Sequence, residues 1–298
     1  MSGILLRYYS SVGWYPTQAL SHKDASLVVE NDLIFSAVRF NEVSLEDYFP
    51  EREWLKPEEI RLLSSVALSL PEDCGKVFFF PSSWSYALRD TGYDLRGKEV
   101  LQDLKKRILL EVANFEKERK YSSEEDMHYW LSSFVDVPPP PIFGGNRYYI
   151  KEVDTDVSRQ KEIFEAIVIE DHLLIRGLGA LLKGDILHAH SLFHTEACIS
   201  LHIAMEATLQ LILRRLRKDI ANPSSKDASK FIGDIFGKYY PEHYFQDYYE
   251  DRIKAVHPAN RFGVYPDAPL ASDDFYDLYG PLRAVFDFLI TGNVRKIE

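Results

Sequence analysis

The spacing of apolar residues divides the chain into a mixed first part and a helical second part. Two segments, "SLVVENDLIFSAVRF" and "KVFFFPSSW", are rich in β-branched and aromatic residues and are interrupted at a polar "END" and at Pro81, which is typical of strands. Two others, "KPEEIRLLSSVALSL" and "GKEVLQDLKKRILLEVANFEKERK", repeat apolar residues every three or four positions, which predicts helices. The first part is therefore predicted to be an α+β domain.

A proline-rich segment separates this part from the remainder. In "DVPPPPIFGGNRYY", four prolines and a glycine pair cannot continue a helix or a central strand. We therefore predict an α+β domain of unknown role over 1–140, a linker at about 136–154 and an all-α domain over 155–298. The periodicity of the second domain predicts a bundle of helices, which makes the protein mainly α. The helices are expected at roughly 157–183, 188–218, 226–238, 242–256 and 272–291, the last kinked at Pro281.

The predicted helix over 188–218 is apolar on nearly every side, which indicates a central position in the bundle or a contact between subunits. One arc of its wheel holds Leu192, Ile199, Ile203 and Leu213, and other apolar residues occupy the rest. Glu206 falls about 20° from Ile199, inside that arc. An ionised carboxylate is costly there unless it is paired, so we expect Glu206 to have a cationic partner.

Composition and charge narrow the classes of function. The 298 residues carry a formal net charge of −11, which argues against a protein that covers nucleic acid with positive charge, so any such contact must be local. Two cysteines form no disulfide framework, which is typical of a reducing compartment. Without a signal sequence or an uninterrupted apolar run of about 18 residues, the expected location is the cytoplasm, with no membrane partner.

The segment "YYEDRIKAVHPANRFG", 248–263, holds a candidate reactive pair. Arg252 lies inside the apolar stripe of its predicted helix, about 20° from Phe245 on the wheel. Pro258 pushes His257 out of the helical conformation, so the helix is expected to end near Val256 and to leave the imidazole free to turn toward the arginine. A histidine that moves protons beside an arginine that binds phosphoryl oxygens suits cleavage of RNA without metal, through the ribose 2′-hydroxyl.

Arg252 and His257 resemble the R-x4-6-H motif of the HEPN superfamily, and "AHSLFHTEACISLHIAMEATLQLILRRL" is similar to the long central helix of that superfamily. The resemblance covers about residues 160–292. It implies an all-α, HEPN-like bundle of four or five helices that forms a homodimer, in which two motifs make one composite site. It further implies an RNA-binding protein or a metal-independent endoribonuclease in toxin–antitoxin, phage-defence or RNA-processing systems, with an antitoxin or regulatory protein as a possible partner.

Ile253 departs from the superfamily pattern, because many active members have Asn, Asp or His directly after the arginine. This departure keeps open a second hypothesis, in which the domain is a non-catalytic dimerisation and protein-interaction module. In that hypothesis Arg252 forms a buried salt bridge with Glu206, and His257 only bonds backbone carbonyls at the end of its helix.

Residues near the proposed pair supply candidates for binding RNA or a nucleotide. The sequence "RRLRK" places Arg214 and Arg215 near the end of the long helix, where they either contact phosphates or complement the helix dipole on a solvated face. Tyr248 and Tyr249 are candidates for stacking on bases, or else belong to the core. Glu206 completes the set of supporting residues.

Histidine spacing raises the question of a metal site. His190, His194, Cys198 and His202 repeat every four residues along one helical stripe. They span about 18 Å, however, so only neighbouring members can share an ion, and the sequence offers no second cluster to complete a shell. We therefore predict ordinary interior or interface histidines, no metal and no cofactor.

Overall fold

The structure is a computed structural model that forms two compact units. It describes residues 2–10, 14–30, 33–41, 55–70, 80–90, 92–106, 151–189, 193–237, 240, 243–247 and 272–294. The sheet unit comprises Met1–Leu62 and Val77–Val157, and the helical unit comprises Leu63–Lys76 and Ser158–Glu298. Most of the predicted linker, 136–150, lies outside the described residues, so the predicted domain boundary stays a prediction.

The sheet unit is built on a small antiparallel sheet with the strand order β3-β4-β1-β5, beside a parallel pair of β2 and β6. The strands are β1 (Ser2–Ser10), β2 (Trp14–Pro16), β3 (Ala25–Glu30), β4 (Leu33–Asn41), β5 (Phe80–Arg89) and β6 (Lys151–Val153). The predicted strands in "SLVVENDLIFSAVRF" are β3 and β4, which pair so that Val28 lies opposite Phe35. The α+β prediction for this part of the chain is therefore confirmed.

Two features of the sheet differ from the sequence prediction. Strand β1, which lies between β4 and β5, was not predicted at all. Strand β5 was expected to stop at Pro81, but it begins at Phe80 and continues to Arg89. It tolerates the proline because it lies at the end of the strand order, where a missing N–H costs less, and because its register with β1 shifts between Arg7 and Tyr9, next to the proline.

Successive residues of β1 point to opposite faces of the sheet. Ile4 and Leu6 pack into a core cluster with Leu101 and Leu104 of helix α2 (98–106), as the predicted helical period requires. Arg7 and Tyr9 instead contact Glu59 of helix α1 (Pro57–Ser69), which was predicted over 56–70. Helices therefore cover both faces of the sheet.

A buried ion pair fixes the first turn of α1 to the sheet. The Arg7 side chain donates to both carboxylate oxygens of Glu59, from Nε at 2.6 Å and from Nη2 at 3.1 Å, and both residues are at most 2% exposed. The Lys56 backbone N–H donates to Glu59 Oε2 at 2.9 Å, and the Tyr9 hydroxyl donates to Oε1 at 3.2 Å. Burial, followed by the charge of Glu59, raises the pKa of Tyr9 well above its ordinary value.

From residue 157 onward, the described part of the chain contains five long helices: α3 (Val157–Ala166), α4 (His172–His188), α5 (His194–Leu216), α6 (Ser225–Phe236) and α7 (Ser272–Thr291). The prediction of one helix over 157–183 was wrong, because the chain leaves the helical path after Ala166 and Asp171 caps a new helix. Pro281 lies inside α7, as expected. Of the helix predicted over 242–256, the structure describes helical residues at 244–247.

Helices α4 and α5 are the most extensively packed pair in the unit, and two glycines let them approach closely. A Cβ added at Gly177 would lie 2.7 Å from the Ala207 Cβ, and one at Gly184 would lie 2.8 Å from Leu201 Cδ2. The glycines of "RGLGALLKGD" therefore serve helix packing, because a side chain at either position would push α5 away.

Helix α5 also has the length and the apolar composition of a membrane-crossing helix. However, most of this helix is buried inside the structure. This is weak evidence for a membrane span, because the core helix of a bundle has the same composition. The expected cytoplasmic location stays a prediction.

We predict that Glu59→Ala lowers the free energy of unfolding by about 3–5 kcal/mol, because it leaves the Arg7 guanidinium buried without its carboxylate. Urea unfolding followed by circular dichroism measures the change. The matched control is Glu99→Ala, which removes an exposed carboxylate from the first turn of α2. A loss for Glu59→Ala no larger than that of the control would show that the pair does not stabilise the sheet unit.

Candidate functional site

A cleft of about 370 Å³ opens in the helical unit where the amino end of α4 meets the carboxyl end of α5. Three leucines, from α4, α5 and α7, line it together with three cations and one carboxylate. The lining residues are Asp171, Leu174, Leu211, Arg214, Arg215, Lys218 and Leu289. We call this cavity the α5 cleft.

Asp171 has two roles in the α5 cleft. Its carboxylate caps α4 by accepting the backbone N–H of Leu174 at 3.3 Å. It also accepts both terminal nitrogens of the Arg214 guanidinium, in a bidentate ion pair. The hydrogen bonds from Arg214, followed by the cap N–H groups, hold the pKa of Asp171 below its ordinary value of 3.8, against the opposing effect of its partial burial.

The other two cations are placed differently. The Arg215 guanidinium lies 5.7 Å from the ring centre of Phe231 and 5.2 Å from that of Phe288, within range of cation–π attraction, while the residue stays exposed. Lys218 follows the last turn of α5 and is also exposed. Both complement the partial negative charge at the carboxyl end of the helix.

The α5 cleft is positive within an acidic protein. Among the described residues, its lining holds three cations, Arg214, Arg215 and Lys218, against one carboxylate, that of Asp171, which leaves a formal charge of +2. The whole chain carries −11, so the attraction for an anion is local to this cavity. A phosphate group suits the site, because exposed arginine and lysine donors face it across an apolar floor.

The structure brings together only part of the predicted site. Arg214 and Arg215 both line the α5 cleft. They lie at the carboxyl end of α5, where the sequence had placed them. Glu206 lies about 12 Å earlier along α5, half-buried, and accepts the Gln210 side-chain amide at 3.0 Å. Arg252, His257, Tyr248 and Tyr249 lie outside the described residues, so their predicted roles stay predictions.

Glu206 belongs to a stripe of α5 that the described part of the chain leaves partly exposed. The stripe repeats every three or four residues and consists of Ile199, Ile203, Glu206, Gln210 and Leu213. Ile203 is 41% exposed, whereas the opposite side of the helix, including Leu201 and Ile212, is buried against its own unit. We call this the α5 stripe. It contains Ile199, Ile203 and Leu213 of the apolar arc in which the sequence had placed Glu206, and Leu192 of that arc lies outside the described residues.

His188 and His194 take part in aromatic packing, whereas His190 of the predicted stripe lies outside the described residues. The His188 ring stacks on Phe275 with centroids 3.8 Å apart, and the His194 ring lies 5.0 Å from His188. Cys198 and His202 are buried within α5. Among the residues that the structure describes, no three or more His, Cys, Asp or Glu side chains group in a way that suits a metal ion.

Asp171 is the residue of the site that the sequence prediction missed, and Lys218 was noted only as part of the basic run. An aspartate directly before a helical period is a recognised capping signal. That signal was hidden because the apolar spacing on either side fitted one continuous helix over 157–183. Asp171 also pairs with Arg214, which is 43 residues away, so local spacing does not predict this contact.

Comparison of the chain with protein-family models, with curated proteins and with solved structures found no match in any of the three. Support for a function therefore comes from the geometry of the site and the chemistry of its residues.

We predict that Asp171→Ala lowers the free energy of unfolding by about 1 kcal/mol at neutral pH, because the cap of α4 and the ion pair are lost together. Since the folded state lowers the pKa of Asp171, its contribution is present above the ordinary pKa and is lost as the pH falls through the lower folded value. The difference between wild type and variant should therefore shrink in acid.

Denaturant unfolding over a pH series measures this difference. Asp171→Asn, which keeps a capping oxygen but no charge, should cost less than Asp171→Ala at neutral pH. The control Glu170→Ala removes the exposed neighbouring carboxylate and should have little effect. A deficit for Asp171→Ala that stays constant into acid would contradict the ionic contribution.

Proposed function

We propose that the helical unit is a HEPN-like RNA-binding domain that acts, as a homodimer, as a metal-independent endoribonuclease of the toxin, defence or RNA-processing type. The observation that carries the RNA-binding proposal is the α5 cleft, a positive cavity in an acidic chain. The cleavage proposal rests on the sequence motif Arg252 to His257.

RNA phosphates would enter the α5 cleft at Arg215 and Lys218. Arg215 is oriented by the rings of Phe231 and Phe288, so less side-chain freedom is lost when it binds an anion. Arg214 is already held by Asp171 and contributes mainly to the local potential. Few cations are involved, so we expect moderate, salt-dependent binding without broad coverage of the nucleic acid.

Cleavage would proceed through the ribose 2′-hydroxyl. A neutral His257 accepts the proton of that hydroxyl, and the 2′ oxygen attacks phosphorus while the bond to the 5′ oxygen breaks. The leaving 5′ oxygen takes a proton from the protonated His257 of the second protomer. Arg252 stabilises the extra negative charge on the phosphoryl oxygens. The products are a 2′,3′-cyclic phosphate and a 5′-hydroxyl, and DNA is not a substrate because it lacks the attacking group.

The α5 stripe supports association with a second copy of the chain. An isoleucine that is 41% exposed in the middle of a long helix, between half-buried Ile199 and Leu213, forms an apolar surface that a twofold contact would cover. A homodimer is also what a composite site made from two Arg252/His257 motifs requires.

The same stripe favours the second candidate function, a non-catalytic dimerisation and protein-interaction module. In this case the apolar surface and Glu206 serve assembly only, and Ile253 after Arg252 marks an inactive motif. An antitoxin or regulatory protein would then be the partner, and the sheet unit would contribute to its selection. In both cases we propose a cytoplasmic location.

We predict that the purified protein cleaves single-stranded RNA in the presence of a chelator, and that Arg252→Ala and His257→Ala each abolish cleavage while retaining binding. Gel electrophoresis of labelled RNA detects cleavage, and resistance of the new 3′ ends to periodate shows that their 2′,3′-diol is blocked, as a cyclic phosphate requires. Cleavage that persists in both variants would remove the site assignment, whereas binding without any cleavage in the wild type would favour the module.

We predict that the double variant Arg215→Ala and Lys218→Ala weakens RNA binding and lowers the slope of log affinity against log salt by about 1.4, since each single-strand phosphate contact contributes about 0.7. Fluorescence anisotropy with a labelled oligonucleotide at several salt concentrations measures the slope. The control Lys183→Ala removes an exposed cation of α4 that does not line the cleft. Equal slopes for the double variant and the control would contradict RNA binding at the α5 cleft.

We predict that Ile203→Asp converts the dimer into a monomer, because it places a charge in the apolar contact. Light scattering after size-exclusion chromatography gives the mass. The control Val168→Asp alters another exposed apolar residue of the helical unit, outside the α5 stripe. A wild-type protein that is monomeric, or an Ile203→Asp variant that stays dimeric, would show that the stripe is not the dimer contact.

A further inference from the structure

The ion pair between Asp171 and Arg214 lies in the lining of the α5 cleft, where the proposed RNA phosphates bind. The Asp171 carboxylate accepts hydrogen bonds from both Nη atoms of Arg214. It therefore faces the edge of the guanidinium that forms paired hydrogen bonds with a carboxylate or a phosphate. A phosphate that approaches Arg214 in this way has to compete with Asp171.

The other two cations of the α5 cleft have no such competitor in the described part of the chain. There, Arg215 lies against aromatic rings, and neither Arg215 nor Lys218 forms an ion pair with a carboxylate. The Arg214 side chain is 54% exposed, so solvent access does not set it apart from them. Its pairing with Asp171 does.

The fold holds Asp171 in place as a strong competitor. The same carboxylate caps α4 by accepting the Leu174 backbone N–H at 3.3 Å, and the positive end of the helix dipole favours its negative charge. The hydrogen bonds from Arg214, together with those from the cap, lower the pKa of Asp171. The carboxylate therefore stays ionised at neutral pH and remains paired.

A phosphodiester of RNA has no advantage in charge over this carboxylate, because each carries one negative charge. The phosphate must also be brought from solution at a cost in translational and rotational freedom, whereas Asp171 is already in place. Displacing Asp171 would in addition weaken the cap of α4. RNA is therefore expected to bind at Arg215 and Lys218 while Arg214 stays paired.

We propose that Asp171 is an internal competitor for RNA phosphates, which occupies Arg214 and limits the α5 cleft to two phosphate contacts. This inference rests on the proposed function and assigns to Asp171 the role of setting the affinity of the site. Removing its charge makes a third cation available to RNA. The opposite role, in which Asp171 orients Arg214 toward RNA, predicts weaker binding after the same change.

The variant Asp171→Asn of the full-length protein tests this inference. Fluorescence anisotropy with a labelled single-stranded RNA, in the presence of a chelator, measures the affinity at several salt concentrations. We expect the affinity to rise by about two- to fivefold, as one exposed charge contact contributes. The slope of log affinity against log salt should become steeper by about 0.7, which is the contribution of one further phosphate contact. Loss of the cap alone would not steepen the slope.

Two further variants assign the gain to Arg214. Adding Arg214→Gln to Asp171→Asn should remove the gain in affinity and in slope, because the cation that Asp171 releases is then absent. The matched control Glu170→Gln removes the exposed neighbouring carboxylate, which does not line the cleft, and so changes the charge of the chain equally. A gain in slope for Glu170→Gln as large as that for Asp171→Asn would overturn the proposal. Circular dichroism confirms that each variant is folded.

Calorimetric titration with inorganic pyrophosphate separates this inference from the proposed function, because pyrophosphate requires only the cations. We expect Asp171→Asn to bind it more tightly than the wild type. This result without RNA binding by either protein would contradict the proposed function but support the competition. If RNA or pyrophosphate binds the wild type and binds Asp171→Asn no more tightly, the competition is overturned, and it is also overturned if neither probe binds either protein.

Discussion

The close approach of α4 and α5 is the constraint on which the helical unit depends. At Gly177 and Gly184 there is no room for a Cβ, since Ala207 and Leu201 of α5 already occupy the space. These contacts fix an antiparallel register in which the beginning of α4 lies beside the end of α5. Asp171 thereby reaches Arg214, and the α5 cleft opens at this end of the pair. The candidate site is thus a consequence of helix packing at positions two to four turns away from it.

Three described arginines differ in role: Arg7 and Arg283 stabilise the fold, whereas Arg215 is exposed and can contact a ligand. Arg7 is buried and matched by both oxygens of Glu59. Arg283 is buried as well and donates to the carbonyl oxygens of Ala67 and Leu70, 2.9 and 2.7 Å away in the same unit. A buried guanidinium needs such acceptors because it does not lose its proton. Arg215 is exposed and lies within cation–π range of the Phe231 and Phe288 rings.

The α5 cleft shows how an acidic protein can attract anions locally. Among the described residues of its lining, Asp171 neutralises one of three cations, and leucines form the floor. At physiological salt the remaining negative charge of the chain is screened beyond about 8 Å, so the charges inside the cavity decide what binds there. This arrangement suits a phosphate backbone.

The sequence by itself determined the elements whose contacts are local. Spacing over a few residues predicts α1, the β3–β4 pair, the apolar α5 and α6. It also placed Arg214 and Arg215 at one helix end. The proposed reactive pair, Arg252 and His257, is known from the sequence alone. Tertiary structure alone decided that β1 is central, that β5 passes Pro81, and that the helix predicted over 157–183 breaks before Asp171. Partners such as Asp171 and Arg214 meet only after the chain has folded. Periodicity shows which face of an element is apolar, but it does not show which element that face packs against.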